Sequence, residues 1–307
     1  MTTNLDGGTN QTVVLKGIFP LPRFIRFIKE RCPPQSFHDH ALVEEWREAR
    51  ATVKILVQEE SGTADLIDER ELPEEMRSLA DKVLQEPSMH RMVSMVPRRW
   101  CMVEIDRLVV FQDSINLHHV EKIKENLSSD PSAEEIIELA SSSGKHENPE
   151  IRCTQSDGGY MFSSASNDLR FLDVTMMDPN AIRDFTPIGS ASHAIVVYVG
   201  FSDNVITATR SGNRIILTNG SHRVYALRKL GFRYVPCLLI DATEGDVSDF
   251  LLPAAVKQDR AFYLECSRPP LFKDYIDKRL TTRVPVIRKT SVLKAKLDLQ
   301  KSSVPAL

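Results

Sequence analysis

A chain of 307 residues, 42% apolar and 26% charged, can bury one large core or two modest ones, which excludes a disordered or fibrous polypeptide. The formal charge is only -3, too small to mark the whole chain as a nucleic-acid coat or an acidic solvating tail. It is unevenly spread: from Lys257 to Lys301 there are 12 Lys and Arg against 5 Asp and Glu, which leaves -10 for the rest.

The first dozen residues, MTTNLDGGTNQT, are rich in Gly, Thr and Asn and are expected to be disordered, with structure starting near Val13. They also lack the basic and apolar regions of a signal peptide, and no later run approaches the roughly 20 apolar residues of a membrane span. The expected location is therefore the cytoplasm, with no membrane partner. From Ala41 to Val57 the apolar positions Leu42, Val43, Trp46, Ala49, Val53 and Leu56 step by three and four, which predicts a helix with one buried stripe. Pro73 followed by acidic residues predicts a second helix to Leu84. Residues 13–99 are thus expected to form an α-rich N-terminal region.

At Trp100 the character changes. WCMVEIDRLVVFQDSINLHHVEKIKENL predicts a strand, a short loop and a helix through Val120, Ile123 and Leu127, and Pro131 leads another short helix, SAEEIIELASS. After the Ser-rich stretch SSSGKHENPE, the segment IRCTQSDGGYMFSS predicts a hairpin turning at Asp157, Gly158 and Gly159. HAIVVYVG is a further strand, and VITATR, SGNR and IILTN form a second hairpin. The helix from Ser221 to Leu230 ends at Gly231, and YVPCLLI is the next strand. The remainder, from residue 246, is expected to be helical, broken by prolines and basic. The fold class is α+β, with a core over 100–245 that carries an insertion. The five cysteines, Cys32, Cys101, Cys153, Cys237 and Cys266, form no CxxC pair, so they predict reduced small hydrophobes rather than disulfides or a zinc site.

The most informative stretch is IILTNGSHRVYALRKLGFRYVPCLLI, Ile215 to Ile240. It places His222 and Arg223 at the start of a helix, the end that already carries the positive half of the dipole. Such an arrangement expects an anion. Gly220 lets a ligand approach the backbone, Asn219 tolerates a left-handed turn, and Ser221 is expected to cap the helix. Phosphate suits donors, dipole and charge that converge on one point.

The hairpin, NGSHRVYALRKLG and the following VP-containing strand resemble the ParB/sulfiredoxin superfamily, whose members carry a Gly-x-x-Arg type motif at this junction. VEIDRLVVFQDSINLHHVEKIKENL is similar to the opening strand, Gln-containing loop and first helix of that family. The resemblance implies a mixed sheet with helices, and a nucleotide or phosphorylated ligand held by Asn219, Gly220, Ser221, His222 and Arg223, with Gln112 as a further contact. The implied cofactor is a nucleoside triphosphate, ATP or CTP, with or without Mg2+. The chemistries it suggests are NTP hydrolysis, phosphotransfer or a nuclease reaction. Three departures bear on them: Ser221 stands where sulfiredoxin has a cysteine, Asn219 where kinase-like members have Asp, and His222-Arg223 where the clamp proteins have two Arg.

Turnover would need a carboxylate or a ring near that cradle, and Glu104 and His222 are the catalytic candidates, with Asp106 and Asp113 also close in sequence logic. On an alternating strand Glu104 faces either a cleft or water. His118 and His119 are adjacent on a helix and diverge, and His38 and His40 have no identifiable partners, so no metal ligand set is predicted. An alternative of another class stands beside this reading: a non-catalytic nucleic-acid-binding or partner-binding module, in which the basic segment after Lys257 makes the contact and the core is a scaffold.

Overall fold

The strand that opens the structure, β1 (Thr9–Leu15), begins inside the stretch expected to be disordered, because Val13, Val14 and Leu15 find partners on both sides. On one side lies β4 (Ser114–Asn116) and on the other β12 (Thr281–Ile287), both antiparallel, in a three-stranded sheet. The computed structural model describes residues 8–86, 89, 98–141, 150–156, 158–166, 168–181, 189–201, 205–241 and 252–303. The architecture is mixed α+β with several small sheets, and it divides into two units. One comprises Met1–Gly144 with Asp203–Arg288, the other Lys145–Ser202 with Lys289–Leu307.

In the first unit a five-stranded sheet has the order β10-β9-β11-β3-β2. Its members are β2 (Glu69–Arg70), β3 (Arg98–Glu104), β9 (Thr207–Ser211), β10 (Arg214–Asn219) and β11 (Tyr234–Asp241). β9 and β11 run parallel, and the other pairs are antiparallel. The two predicted N-terminal helices are present as α2 (Asp39–Glu59) and α3 (Glu74–Leu84), after an unforeseen α1 (Leu21–Arg31). Leu42, Ala49, Val53 and Leu56 are the buried stripe of α2. β1 then turns at Gly17, where φ is 76° and a Cβ would lie 2.5 Å from the backbone of Ala49 and Arg50 on α2. Only glycine permits that approach. Helices α4 (Leu117–Glu125), α5 (Ala133–Ser141) and α6 (Ser221–Lys229) complete the setting of the predicted motif. Gly231, at φ 97°, ends α6 as expected, with the Phe232 N–H donating to the Leu227 carbonyl at 3.1 Å.

The C-terminal segment differs from its prediction. Residues 246–251 lie outside the described residues; among the described ones Ala254–Gln258 is α-helix (α7), a π-turn spans Ala261–Glu265, and a 3-10 turn spans Phe272–Tyr275. Leu271, Tyr275 and Leu280 are buried as their spacing suggests. Beyond them the chain is extended. TTRVPVI is rich in β-branched residues but has no clean alternation, and Pro285 is tolerated because β12 is an edge strand. The first and last segments of this unit therefore share a sheet instead of forming separate regions.

The second unit holds a three-stranded sheet, β13-β6-β5, and a two-stranded one, β7-β8. β5 (Arg152–Ser156) and β6 (Gly159–Ser164) are the predicted hairpin, with Gly159 already in the strand and Asp157 outside the described residues. β13 (Ser291–Lys296) pairs with β6, and β8 (Ala194–Phe201) is the predicted strand HAIVVYVG. β7 (Leu169–Met177) was not foreseen; it has a bulge between Phe171 and Asp173, which interrupts its alternation.

Candidate functional site

The junction of β10 and α6 is built around Gly220. Its φ of 94° is left-handed, and a Cβ there would lie 2.8 Å from Ile206 Cγ1 and 3.1 Å from Arg223 Nη2. Gly220, not Ser221, is the N-cap; Ser221 is the first helical residue, buried, and no side chain caps the helix. The expected serine cap fails because a residue with positive φ is needed before the first turn, which leaves Ser221 inside it. Asn219 is in β10, and its Nδ2 donates to the Val205 carbonyl at 2.9 Å, which ties the end of β10 to the chain entering β9.

Arg223 points inward rather than to solvent. It is 6% exposed, and its Nη1 donates to the Leu139 and Ala140 carbonyls at 3.0 and 3.3 Å, at the C-terminal end of α5. Burial pulls the guanidinium down to about 9 from its ordinary value. His222, by contrast, is not a cation. Its Nε2 accepts from the Asn116 backbone N–H at 3.0 Å, so the ring is neutral with its proton on Nδ1. Burial first, then His119 and Arg223, push its pKa down to about 3. His119 meets it edge-on, with ring centroids 5.0 Å apart. Asn116 also caps α4, accepting from the His119 N–H at 3.3 Å.

The loop before Asn116 approaches the same place. Val109 bridges Ile216 in parallel, so the segment carrying Gln112 runs beside β10 toward Asn219. Gln112 is half-buried, and its carbonyl accepts from the Tyr275 hydroxyl at 2.6 Å.

The candidate carboxylates are elsewhere. Glu104 is 5% exposed and neither faces a cleft nor water: it accepts from the Asp68 N–H at 3.3 Å and pairs with Arg107 at 3.2 Å and Arg233 at 3.3 Å. It lies opposite Tyr234, beside the residues that follow α6, and a nine-residue helix separates that end from Gly220 by about 13 Å. Asp106 holds Arg228 at 2.7 and 3.0 Å near the C-terminal end of α6, and Asp113 pairs with Arg23 at 2.7 Å. As a base for the cradle, Glu104 is too far away and already satisfied. His38 precedes α2 and His40 is within it; among the described residues no group of three or more His, Cys, Asp or Glu is placed to hold a metal. Sequence reasoning missed Asn116, His119 and the carbonyls of Leu139 and Ala140. Only the capping signature of Asn116 was visible locally.

The basic segment is divided between the units after Arg288, and three of its cations are in ion pairs: Arg268 with Asp274 and Glu60, Lys273 with Glu60, and Arg279 with Asp277. Among the described residues no helix is long and apolar enough to cross a membrane.

The neutral state of His222 has a consequence for acid stability. In the unfolded chain the ring titrates near 6.5 and in the folded protein near 3, so between those values the unfolded state binds the additional proton. The stability contribution is whole above pH 6.5 and is lost as pH falls toward 3, by at most about 1.4 kcal/mol per pH unit. Denaturant melts at stepped pH should show this acid limb in the wild type and a flatter one in His222→Gln, whose carbonyl can still accept from Asn116. Equal slopes would mean that the ring protonates freely in the folded state.

No family model matches the chain, and neither a curated protein nor a solved structure matches it.

Proposed function

We propose that the chain binds a nucleotide or another phosphate ester at the N-terminus of α6, in the ParB/sulfiredoxin manner that its motif suggests. The observation that carries this reading is Arg223: a buried guanidinium in the first turn of α6, with its pKa lowered to about 9 by burial. A buried cation at that position suits an incoming anion, whose charge offsets both the desolvation and the helix dipole.

Three further features support it. The left-handed turn at Gly220 opens α6, and no side chain caps its first turn. The succession of opening strand, loop, helix, hairpin, α6 and β11 is the one the resemblance implies. Neutral His222 presents a donor at Nδ1 rather than an acid, and with Glu104 at the far end of α6 the reading is binding, by ATP or CTP with or without Mg2+, and not a specified transfer.

The test is a melting-temperature and calorimetric panel of ATP, CTP and inorganic phosphate, each with and without Mg2+. A ligand that binds only the folded state raises the midpoint by mass action, about 2.7 kcal/mol at a hundredfold excess over Kd. At least one of these should do so for the wild type and fail to do so for Arg223→Met, which removes the cation and keeps most of its volume. A panel without any shift, or a shift that Arg223→Met keeps, overturns the proposal.

A further inference from the structure

A cleft of about 660 Å³ opens elsewhere in the first unit, between the turn leading into α1, one side of α2 and the segment from Ala255 to Tyr263. Its size is that of small-molecule sites. The walls are aromatic, supplied by Phe19, Trp46, Phe262 and Tyr263. Phe262 and Tyr263 come from the π-turn Ala261–Glu265, closed by the Cys266 N–H on the Ala261 carbonyl at 2.8 Å, and such turns concentrate at functional sites. Phe262 meets both Phe19 and Tyr263, with centroids 6.1 and 4.9 Å away.

Arg23 lines the cleft, but its charge is matched within the protein. The guanidinium lies 3.9 Å from the Phe19 ring centroid, donates to the Phe111 carbonyl at 2.8 Å and pairs with Asp113 at 2.7 Å. Two charges on different walls remain. Arg50, on α2, donates once, from Nη1 to the Gly17 carbonyl at 3.2 Å. Asp259, after α7, accepts through Oδ1 from the Phe262 N–H at 3.2 Å. Neither has an ion-pair partner among the described residues. With Arg23 and Asp113 cancelled, the lining is neutral overall and carries one charge of each sign. A phosphate ester would bring unmatched negative charge, and an uncharged ring would leave both side chains unused.

We propose that this cleft binds a free aromatic α-amino acid, its ring among Phe19, Trp46 and Phe262, its carboxylate on Arg50 and its ammonium on Asp259. The site is separate from the junction at Gly220 and does not depend on what binds there.

Calorimetry on the full chain with L-phenylalanine, L-tryptophan and two single-charge analogues, 3-phenylpropionate and phenethylamine, tests it. The wild type should bind at least one of the amino acids at least about tenfold more tightly than either analogue, a ratio that corresponds to 1.4 kcal/mol. Asp259→Asn keeps an acceptor for Phe262 and should lose at least about tenfold for the amino acid while binding 3-phenylpropionate no worse. Arg50→Gln should do the reverse, sparing phenethylamine. Unchanged melting temperatures certify that both variants fold; if one does not, Arg50→Lys and Asp259→Glu replace them, and each should retain part of the affinity. Absence of amino-acid binding at millimolar concentration overturns the proposal. Analogues that bind as tightly as the amino acids, or charge variants that bind like the wild type, do so equally.

Discussion

Asp274→Ala should lower the stability of the protein by about 3–5 kcal/mol, the range for removing one member of a buried ion pair. Asp274 is 1% exposed, and its two oxygens take Arg268 in bidentate fashion at 2.5 and 3.1 Å, with the Leu271 N–H on Oδ2 at 2.8 Å. Its loss would leave the Arg268 guanidinium, itself buried, with Glu60 alone, and would orphan a backbone donor. The melting temperature should fall by on the order of 10 °C for a unit of this size. Burial pushes the Asp274 carboxyl up despite the guanidinium, whereas Arg268, desolvated too, is raised by its bonds to Asp274 and Glu60. Taking both charges out of water costs much of what their attraction returns, so the pair fixes how the chain turns before β12 more than it adds net stability. The double substitution Arg268→Met with Asp274→Leu should accordingly recover most of the loss, and thermal melts of the single and double variants measure it. A single variant within 1 kcal/mol of wild type would mean that water replaces the carboxylate.

The parts of this fold that could be read locally were those in which one periodicity runs uninterrupted. The stripe of α2, the Pro73 start of α3, the hairpin of β9 and β10 and the Gly231 stop of α6 all follow from neighbours within a few residues. β12 was lost for the opposite reason. Its partner β1 lies some 270 residues away, so that nothing near TTRVPVI announced a sheet. The site divides in the same way. The demand for a glycine before α6 was visible in NGSHR, and the structure places a φ of 94° there. Directions were not visible: whether Arg223 points out or in depends on the end of α5, and whether His222 is charged depends on a backbone N–H 106 residues earlier. Glu104 shows the same limit, because alternation gives a face but not the arginines that fill it.

The direction of Arg223 also sets the largest expected effect on ligand binding, and it is best tested with Arg223→Met, which keeps most of the volume. In the unliganded protein the substitution removes a buried charge and the hydrogen bonds of its guanidinium, those to the Leu139 and Ala140 carbonyls among them. The desolvation that lowers the guanidinium to about 9 disappears, the Ala140 carbonyl keeps the Ile206 N–H at 2.7 Å, and the Leu139 carbonyl loses its guanidinium donor. Each acceptor left unsatisfied costs about 1–3 kcal/mol, which replacing buried charge by apolar volume offsets in part, so Arg223→Met should fold and melt at or below the wild-type temperature. Arg223→Ala adds a cavity and should be less stable. Affinity should respond quite differently. Each charge-assisted hydrogen bond to a phosphate is worth about 1.5–3 kcal/mol, so loss of one or two weakens binding on the order of a hundredfold or more. Arg223→Lys should restore only part, since one ammonium cannot serve the α5 carbonyl and the phosphate together as the planar fork can. Calorimetric titration of the three variants with the nucleotide that stabilises the wild type decides the matter. Unchanged affinity in Arg223→Met, or a loss that follows its unfolding, would reduce Arg223 to a clamp on the end of α5.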